Sequence, residues 1–260
     1  MSDDIRHILE EWPYDPDDDI MVRIIEGDDG EKLQMRVDMG VIQIELDGNP
    51  IGEHPGNFES WFEYYQDKSK DAESHEIDDF FSLDTDDCKK LRQEAVRYYY
   101  RYLCLMKLGD YKRVVRDTDR NFRLFAFIKK YAASEMDRWA LDQYRPYVIM
   151  MNTRARASLA IRSDLDKIID NDEEAPSGIE KAIEQIDRGI VDIRNFYDEY
   201  GLTTEIETSI ELAILQALKK EFVKNLPLSL EDQLTRALEE ERFEDAAELR
   251  DRLRSRFGPN

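Results

Sequence analysis

Basic and aromatic side chains alternate through the middle of the chain, and their spacing gives the first candidate chemistry. Arg97 precedes Tyr98, Tyr99 and Tyr100; Arg101 and Tyr102 follow, and Lys112, Arg113, Arg116, Arg120 and Arg123 recur at helical spacing beyond them. Cations interleaved with rings can grip single-stranded nucleic acid, the cations on phosphates and the rings on bases, and the same cations can hold an acidic protein partner. Three adjacent tyrosines cannot share one helix face, so at least one is expected to be buried and one exposed. Asp117, Asp119 and Asn121 offer oxygens to a hard cation. The run lacks the glycine and the distal glutamate of a calcium loop and lies in a helical pattern, so it reads as a run of ion pairs on a helix surface.

Other reactive residue types are sparse. Cys88 and Cys104 lie 16 residues apart, and the histidines are His7, His54 and His75, so no zinc-binding spacing exists and the thiols are expected to be unpaired. His54 and His75 fall in polar segments with no Gly-x-Ser-x-Gly pattern nearby and read as solvated. No catalytic constellation can be named, and the reading calls for no metal and no cofactor. The first ten residues lack the basic start and apolar run of a secretory signal, and no stretch approaches 18 apolar residues, which gives the expectation of a cytoplasmic chain that does not enter the membrane.

Charge narrows the partner class. The 260 residues carry a formal charge of −22, with 37% charged and 41% hydrophobic residues. Polyanions and anionic membranes are repelled at long range by such a chain, which favours protein partners and makes nucleic acid an unfavoured ligand. The distribution is uneven: residues 1–90 carry −19, residues 91–170 carry +7 and residues 171–260 carry −10. The acidic front is therefore expected to neutralise the basic middle within the chain, and the helix after Gly109 to be matched by carboxylates of its own chain.

The most specific signal is C-terminal. The segment from Leu230 to Leu253 contains Leu234, Ala237 and Leu238, then Glu241-Arg242-Phe243-Glu244-Asp245-Ala246-Ala247-Glu248-Leu249-Arg250-Asp251. It resembles the UVR domain, the UvrB/UvrC motif, over residues 228–256. The resemblance implies an antiparallel helical hairpin used for protein–protein contact, as in bacterial excision-repair subunits and in regulators of Clp-type proteases and protein-arginine kinases. No Walker-type Gly-x-x-x-x-Gly-Lys loop and no Cys-x-x-Cys zinc pair accompanies it, so the module has been combined with a different body.

Spacing supports the hairpin independently. Ser229 can cap a helix after Pro227, Leu230, Leu234 and Leu238 are spaced four apart, and Ala246, Leu249 and Leu253 can face them from a second helix. Two helices of about a dozen residues bury too little to be stable alone, so the hairpin must dock, on its own chain, on a second copy or on a protein partner. Arg242, Phe243, Glu244, Ala247 and Arg250 are the candidate partner-binding residues. Small Ala246 and Ala247 leave little room for a ring inside, so Phe243 is expected to be at least partly exposed.

The elements positioning these groups follow from periodicity. Ile20, Val22 and Ile24, then Leu33, Met35 and Val37, then Ile42, Ile44 and Leu46 alternate with other residues as three strands, with turns at Asp29-Gly30 and Met39-Gly40. Phe58, Trp61, Phe62, Tyr64 and Tyr65 predict a short helix packed on that meander, and Asp78 to Asp87 an acidic loop leading into a helix N-terminus. Beyond Leu91 the pattern is helical, broken at Gly109-Asp110, Pro146, Ala175 to Gly178, Gly201 and Pro227. The pair around Gly109-Asp110-Tyr111 loosely resembles a tetratricopeptide repeat. Ser177 is expected to cap a helix from Ile179 to Tyr200 with Ile179, Ile183, Ile186, Ile190, Ile193, Tyr197 and Tyr200 inward. Thr204 is expected to begin the next, with Ile206, Ile210, Ala213, Ile214, Ala217 and Leu218 on its apolar side. The expected architecture is α+β and mainly α: a β meander with an acidic lead (1–56), an aromatic helix and acidic linker (57–90), a helical-repeat-like body (91–225) and the UVR hairpin (226–260). The expected function is a non-enzymatic interaction adaptor in bacterial DNA repair or protein quality control, with a nucleic-acid-associated repair accessory using residues 97–130 as the alternative.

Overall fold

The computed structural model describes residues 4–74, 81–170, 178–224 and, near the C-terminus, 238, 242, 243, 245–248 and 250. The chain divides into two compact units, Met1–Lys219 and Lys220–Asn260. Because the division falls before the hairpin, deleting residues 226–260 is expected to leave the main thermal transition in place. Collapse of that transition in the truncated chain would show the hairpin to be part of the core.

Strands β1 (Met21–Gly27), β2 (Gly30–Val37) and β3 (Gly40–Glu45) form an antiparallel meander in sequential order. Leu33 stands between Ile24 and Ile44, and Met35 between Val22 and Ile42, so the alternation read from the sequence sets the register. Both turns fall one residue earlier than expected. Gly27 pairs with Gly30, leaving Asp28-Asp29 as the first turn, and Val37 pairs with Gly40, leaving Asp38-Met39 as the second. The reason at the first is steric: Gly30 has φ of +122°, and a Cβ on Gly27 would lie 2.9 Å from the Gly30 carbonyl oxygen. Glycines are needed beside this turn rather than in it.

Leu33, Ile44 and Leu46 are buried on the apolar side. The opposite side of β2 is covered as well. Lys32, Gln34 and Arg36 are buried there; Arg36 donates to the Trp12 carbonyl at 2.9 Å, and the Arg23 guanidinium lies 4.3 Å from the Trp12 ring centre. The lead, with its short helix α1 (Arg6–Glu11), thus supplies aromatic cover to a row of polar side chains.

The aromatic helix α2 (Trp61–Ser74) joins the helical core instead of covering the sheet. Phe62 and Tyr65 pack with Leu91, Leu124, Phe125 and Ile128, and Phe62 meets Phe127 edge-on at 5.5 Å. The rings are too many for the small apolar face of the meander and are taken up by the larger surface of α3 (Thr85–Leu108) and α4 (Tyr111–Tyr131). Asp84 caps α3 by accepting from the Asp87 N–H, with Asp86 and Asp87 in its first turn; Asp78 and Asp79 lie outside the described residues.

Gly109, left-handed at φ 74°, ends α3, and Asp110 caps α4 by accepting from the Arg113 N–H. The helical pair is as expected, but its helices of 24 and 21 residues exceed what a repeat of about 34 residues can hold. A short strap closes the pair: Leu83 N–H donates to the Tyr131 carbonyl at 2.8 Å, and Ala133 N–H donates to the Leu83 carbonyl at 3.0 Å.

Helices α5 (Glu135–Asp142), α6 (Arg145–Asp170) and α7 (Gly178–Glu199) complete the body. The inward line of α7 is Ala182, Ile186, Gly189, Ile193 and Phe196, rotated from the isoleucine stripe expected. Close packing selects it, since a Cβ on Gly189 would lie 2.1 Å from Thr153 Oγ1 on α6. Ser177 lies outside the described residues. The following helix α8 (Ile210–Lys224) starts later than Thr204: a 3₁₀ turn occupies Glu205–Thr208, and Ser209 Oγ accepts from the Leu212 N–H. It buries Leu212 and Leu215 and exposes Ile210 and Ile214, the reverse of the expected face.

Candidate functional site

The basic middle is largely paired with carboxylates. Arg97 pairs with Glu53, Lys107 with Asp18, Arg113 with Asp47 and Asp110, and Arg116 with Asp47 and Asp117. Residues from the acidic front therefore neutralise α3 and α4 within the chain, as the charge distribution anticipated. Arg113, with Arg116 beside it, holds the Asp47 carboxyl down at about 2. Lys112 and Arg123 are exposed on α4.

Arg101 and Arg120 are inside the protein, not on a binding face. Arg101 is 1% exposed and donates to Asp117 through Nε at 2.7 Å and Nη2 at 2.9 Å. Its Nη1 donates to the Glu45 carbonyl at 3.0 Å and the Gly48 carbonyl at 2.9 Å, tying α3 to the end of the sheet. Arg120 is 7% exposed, pairs with Glu94 and lies 3.8 Å from the Tyr98 ring centre. Glu94 also accepts the backbone N–H groups of Trp61 at 2.7 Å and Phe62 at 3.2 Å, so one carboxylate supports the first turn of α2 and neutralises an α4 cation. Tyr98 and Tyr102 are buried and Tyr99 and Tyr100 half-buried, so none of the tyrosines between Arg97 and Tyr102 is fully exposed.

Most of the run from Asp117 to Asn121 is also interior, with Asp119 facing outward. Asp117, Thr118 and Asn121 are buried, and Asn152 Nδ2 donates to Thr118 Oγ1 and Asp119 Oδ1, each at 2.8 Å. Arg156 adds two bonds to Asp119 at 3.0 and 2.8 Å. The ion-pair reading holds, but only the Asp119–Arg156 pair, between α4 and α6, lies at the surface; Asp117 pairs with Arg101 of α3 in the interior. Cys88 and Cys104 are free and buried, and burial pushes their thiols up to about 11 and about 12, disfavouring the reactive thiolate. Among the described residues no group of three or more metal-ligating side chains comes together, and no helix is long and apolar enough to cross a membrane.

In the C-terminal unit, Leu238 and Phe243 are helical and Arg242 is not. The Ala246 N–H donates to the Arg242 carbonyl at 3.0 Å, and Arg242 pairs with Asp245 at 2.5 Å. Phe243 is 66% exposed while Ala246 is 5% exposed, so the small residue faces inward and the ring faces out. Ala247 is half-buried, Arg250 is exposed, and Glu244 lies outside the described residues. No curated protein and no solved structure gives a significant match to the chain. The family description UvrB/uvrC motif, UVR, matches residues 228–255, the segment that carries these side chains.

Proposed function

We propose that the chain is a non-enzymatic adaptor that docks a protein partner through its C-terminal UVR hairpin, in bacterial DNA repair or protein quality control. The observation that carries this reading is the family match at residues 228–255, whose described part presents an exposed phenylalanine over a buried alanine. An exposed ring flanked by an arginine has the composition of a binding hot spot. Pairing of Arg97, Arg101, Arg113, Arg116 and Arg120 with the chain's own carboxylates leaves few of the expected cations for phosphate, which weighs against the nucleic-acid alternative.

Capture from the native cell with the full chain, the chain lacking 226–260 and Phe243→Ala tests the proposal. One partner is expected to be retained by the full chain alone, and Phe243→Ala is expected to cost about 2 kcal/mol or more of its binding at unchanged melting temperature. A melting-temperature loss with binding intact in the folded fraction would instead make Phe243 a structural plug. Oligonucleotide binding that weakens steeply with salt and survives the deletion would promote the repair-accessory reading. Sedimentation of the purified chain shows whether the partner is a second copy.

A further inference from the structure

A cavity of about 540 Å³ lies among α3, α4, α6 and α8, outside both the basic band and the hairpin, and within the size range of small-molecule sites. Its walls include Tyr99, Tyr102, Tyr144 and Tyr147, with the Asn121 side chain at one side and Glu211 contributed by the start of α8. Tyr99 stands edge-on to Tyr102 at 5.6 Å and is tilted against Tyr147 at 5.9 Å, so rings from two helices meet around one space. Tyr144, 57% exposed, leaves one of these rings open to solvent.

The charge of this lining is one-sided. It includes no lysine and no arginine, and Glu211 is its single ionised side chain. Ser209 donates to Glu211 Oε2 at 3.0 Å while also capping α8, which fixes the carboxylate relative to the rings. Asn121 already donates to the Ala95 carbonyl at 3.1 Å. The Tyr147 phenol is pushed up to about 12 by burial first and by Tyr99, with Glu211 acting the same way and Arg154 opposing them, so the ring stays neutral at physiological pH. Neutral ring faces carry negative electrostatic potential and attract cations, most strongly where water is excluded.

We propose that this cavity binds a quaternary ammonium group. A guanidinium is best held by a carboxylate that takes two of its five N–H donors at close range, whereas this lining is mostly ring and aliphatic carbon with a single carboxylate at its α8 side. A quaternary ammonium has no N–H to satisfy, spreads its charge over methyl groups and fits against ring faces with a carboxylate at longer range.

Choline and its neutral carbon isostere 3,3-dimethyl-1-butanol, titrated into the full chain by ligand-observed NMR, separate charge recognition from simple hydrophobic filling. Choline is expected to bind about ten-fold tighter than the isostere. Glu211→Gln should weaken choline about five-fold and leave the isostere unchanged. Tyr99→Leu should abolish the preference while Tyr99→Phe, which keeps the ring, retains it; melting curves on each variant confirm folding. Equal binding of the two compounds, no saturable binding of either, or an unchanged preference in folded Tyr99→Leu and Glu211→Gln would overturn the proposal. None of these outcomes depends on the hairpin, so chain lacking 226–260 is expected to give the same preference.

Discussion

Glu94→Ala is expected to lower the stability of the main unit by about 3–5 kcal/mol, read as a fall in urea midpoint at unchanged slope. Glu94 is fully buried, and its removal strips three partners at once: the Arg120 guanidinium and the backbone N–H groups of Trp61 and Phe62. An uncompensated cation in the interior dominates the loss, and the two orphaned donors add to it. Glu94→Gln should lose less, since its amide oxygen can still accept from α2. Arg120→Glu should be at least as damaging as Glu94→Ala, because it would put two carboxylates together without solvent. An exposed ion pair on a helix surface would contribute at most about 1 kcal/mol. A loss below about 1 kcal/mol for Glu94→Ala would mean that water reaches this site.

The second large effect is expected at Arg101. Arg101→Leu should cost about 3–5 kcal/mol, because Asp117 loses its two-pronged partner in the interior and the Glu45 and Gly48 carbonyls lose their donor. Arg116 still reaches Asp117 at 2.8 Å and sets the lower end of that range. Replacing Arg101 and Asp117 together by leucine should recover much of the loss, since the penalty comes mainly from the stranded charge. Independent losses that simply add in the double variant would show that the tie to the sheet, and not the ion pair, holds the energy. Limited proteolysis distinguishes these directly, as a released meander becomes susceptible beside Gly48 while the helices remain protected.

These sites also show what could be read from the sequence. The strand register was legible because alternation leaves one pairing that puts Ile24, Leu33 and Ile44 together. The turns slipped by a residue because preferred turn dipeptides report tolerance for positive φ, while the tight approach between Gly27 and Gly30 is a relation between strands. The interior of α3 and α4 was misread through residue type. Leu91, Ala95, Tyr98, Tyr102 and Leu105 mark a buried stripe, and Glu94 and Arg101, seven residues apart, fall within it. Asp117, Thr118 and Asn121 occupy stripe positions between Val114 and Leu124 in the same way. Their spacing was the available signal; their charge argued for solvent, and only the partner carboxylate or guanidinium on another helix makes burial affordable. The tyrosine cavity was invisible for a different reason: Glu211 comes from a helix more than a hundred residues beyond Tyr99. The exposure of Phe243 was anticipated correctly, since the small Ala246 and Ala247 leave no interior large enough for its ring.

The strap joining Leu83 to the end of α4 has a consequence for how the molecule breathes. Helix ends ordinarily fray, and amides there exchange with solvent deuterium far faster than those at the centre. Here the Leu83 N–H donates to the Tyr131 carbonyl and the Ala133 N–H donates to the Leu83 carbonyl, so both close the open end of the helical pair, and both Leu83 and Ala132 are buried. Opening either amide therefore requires α3 and α4 to separate at the side where Phe125, Ile128 and Leu91 meet. Both amides should carry protection close to that of the middle of α4, making a fifty-residue stretch exchange as one cooperative block with no loose end.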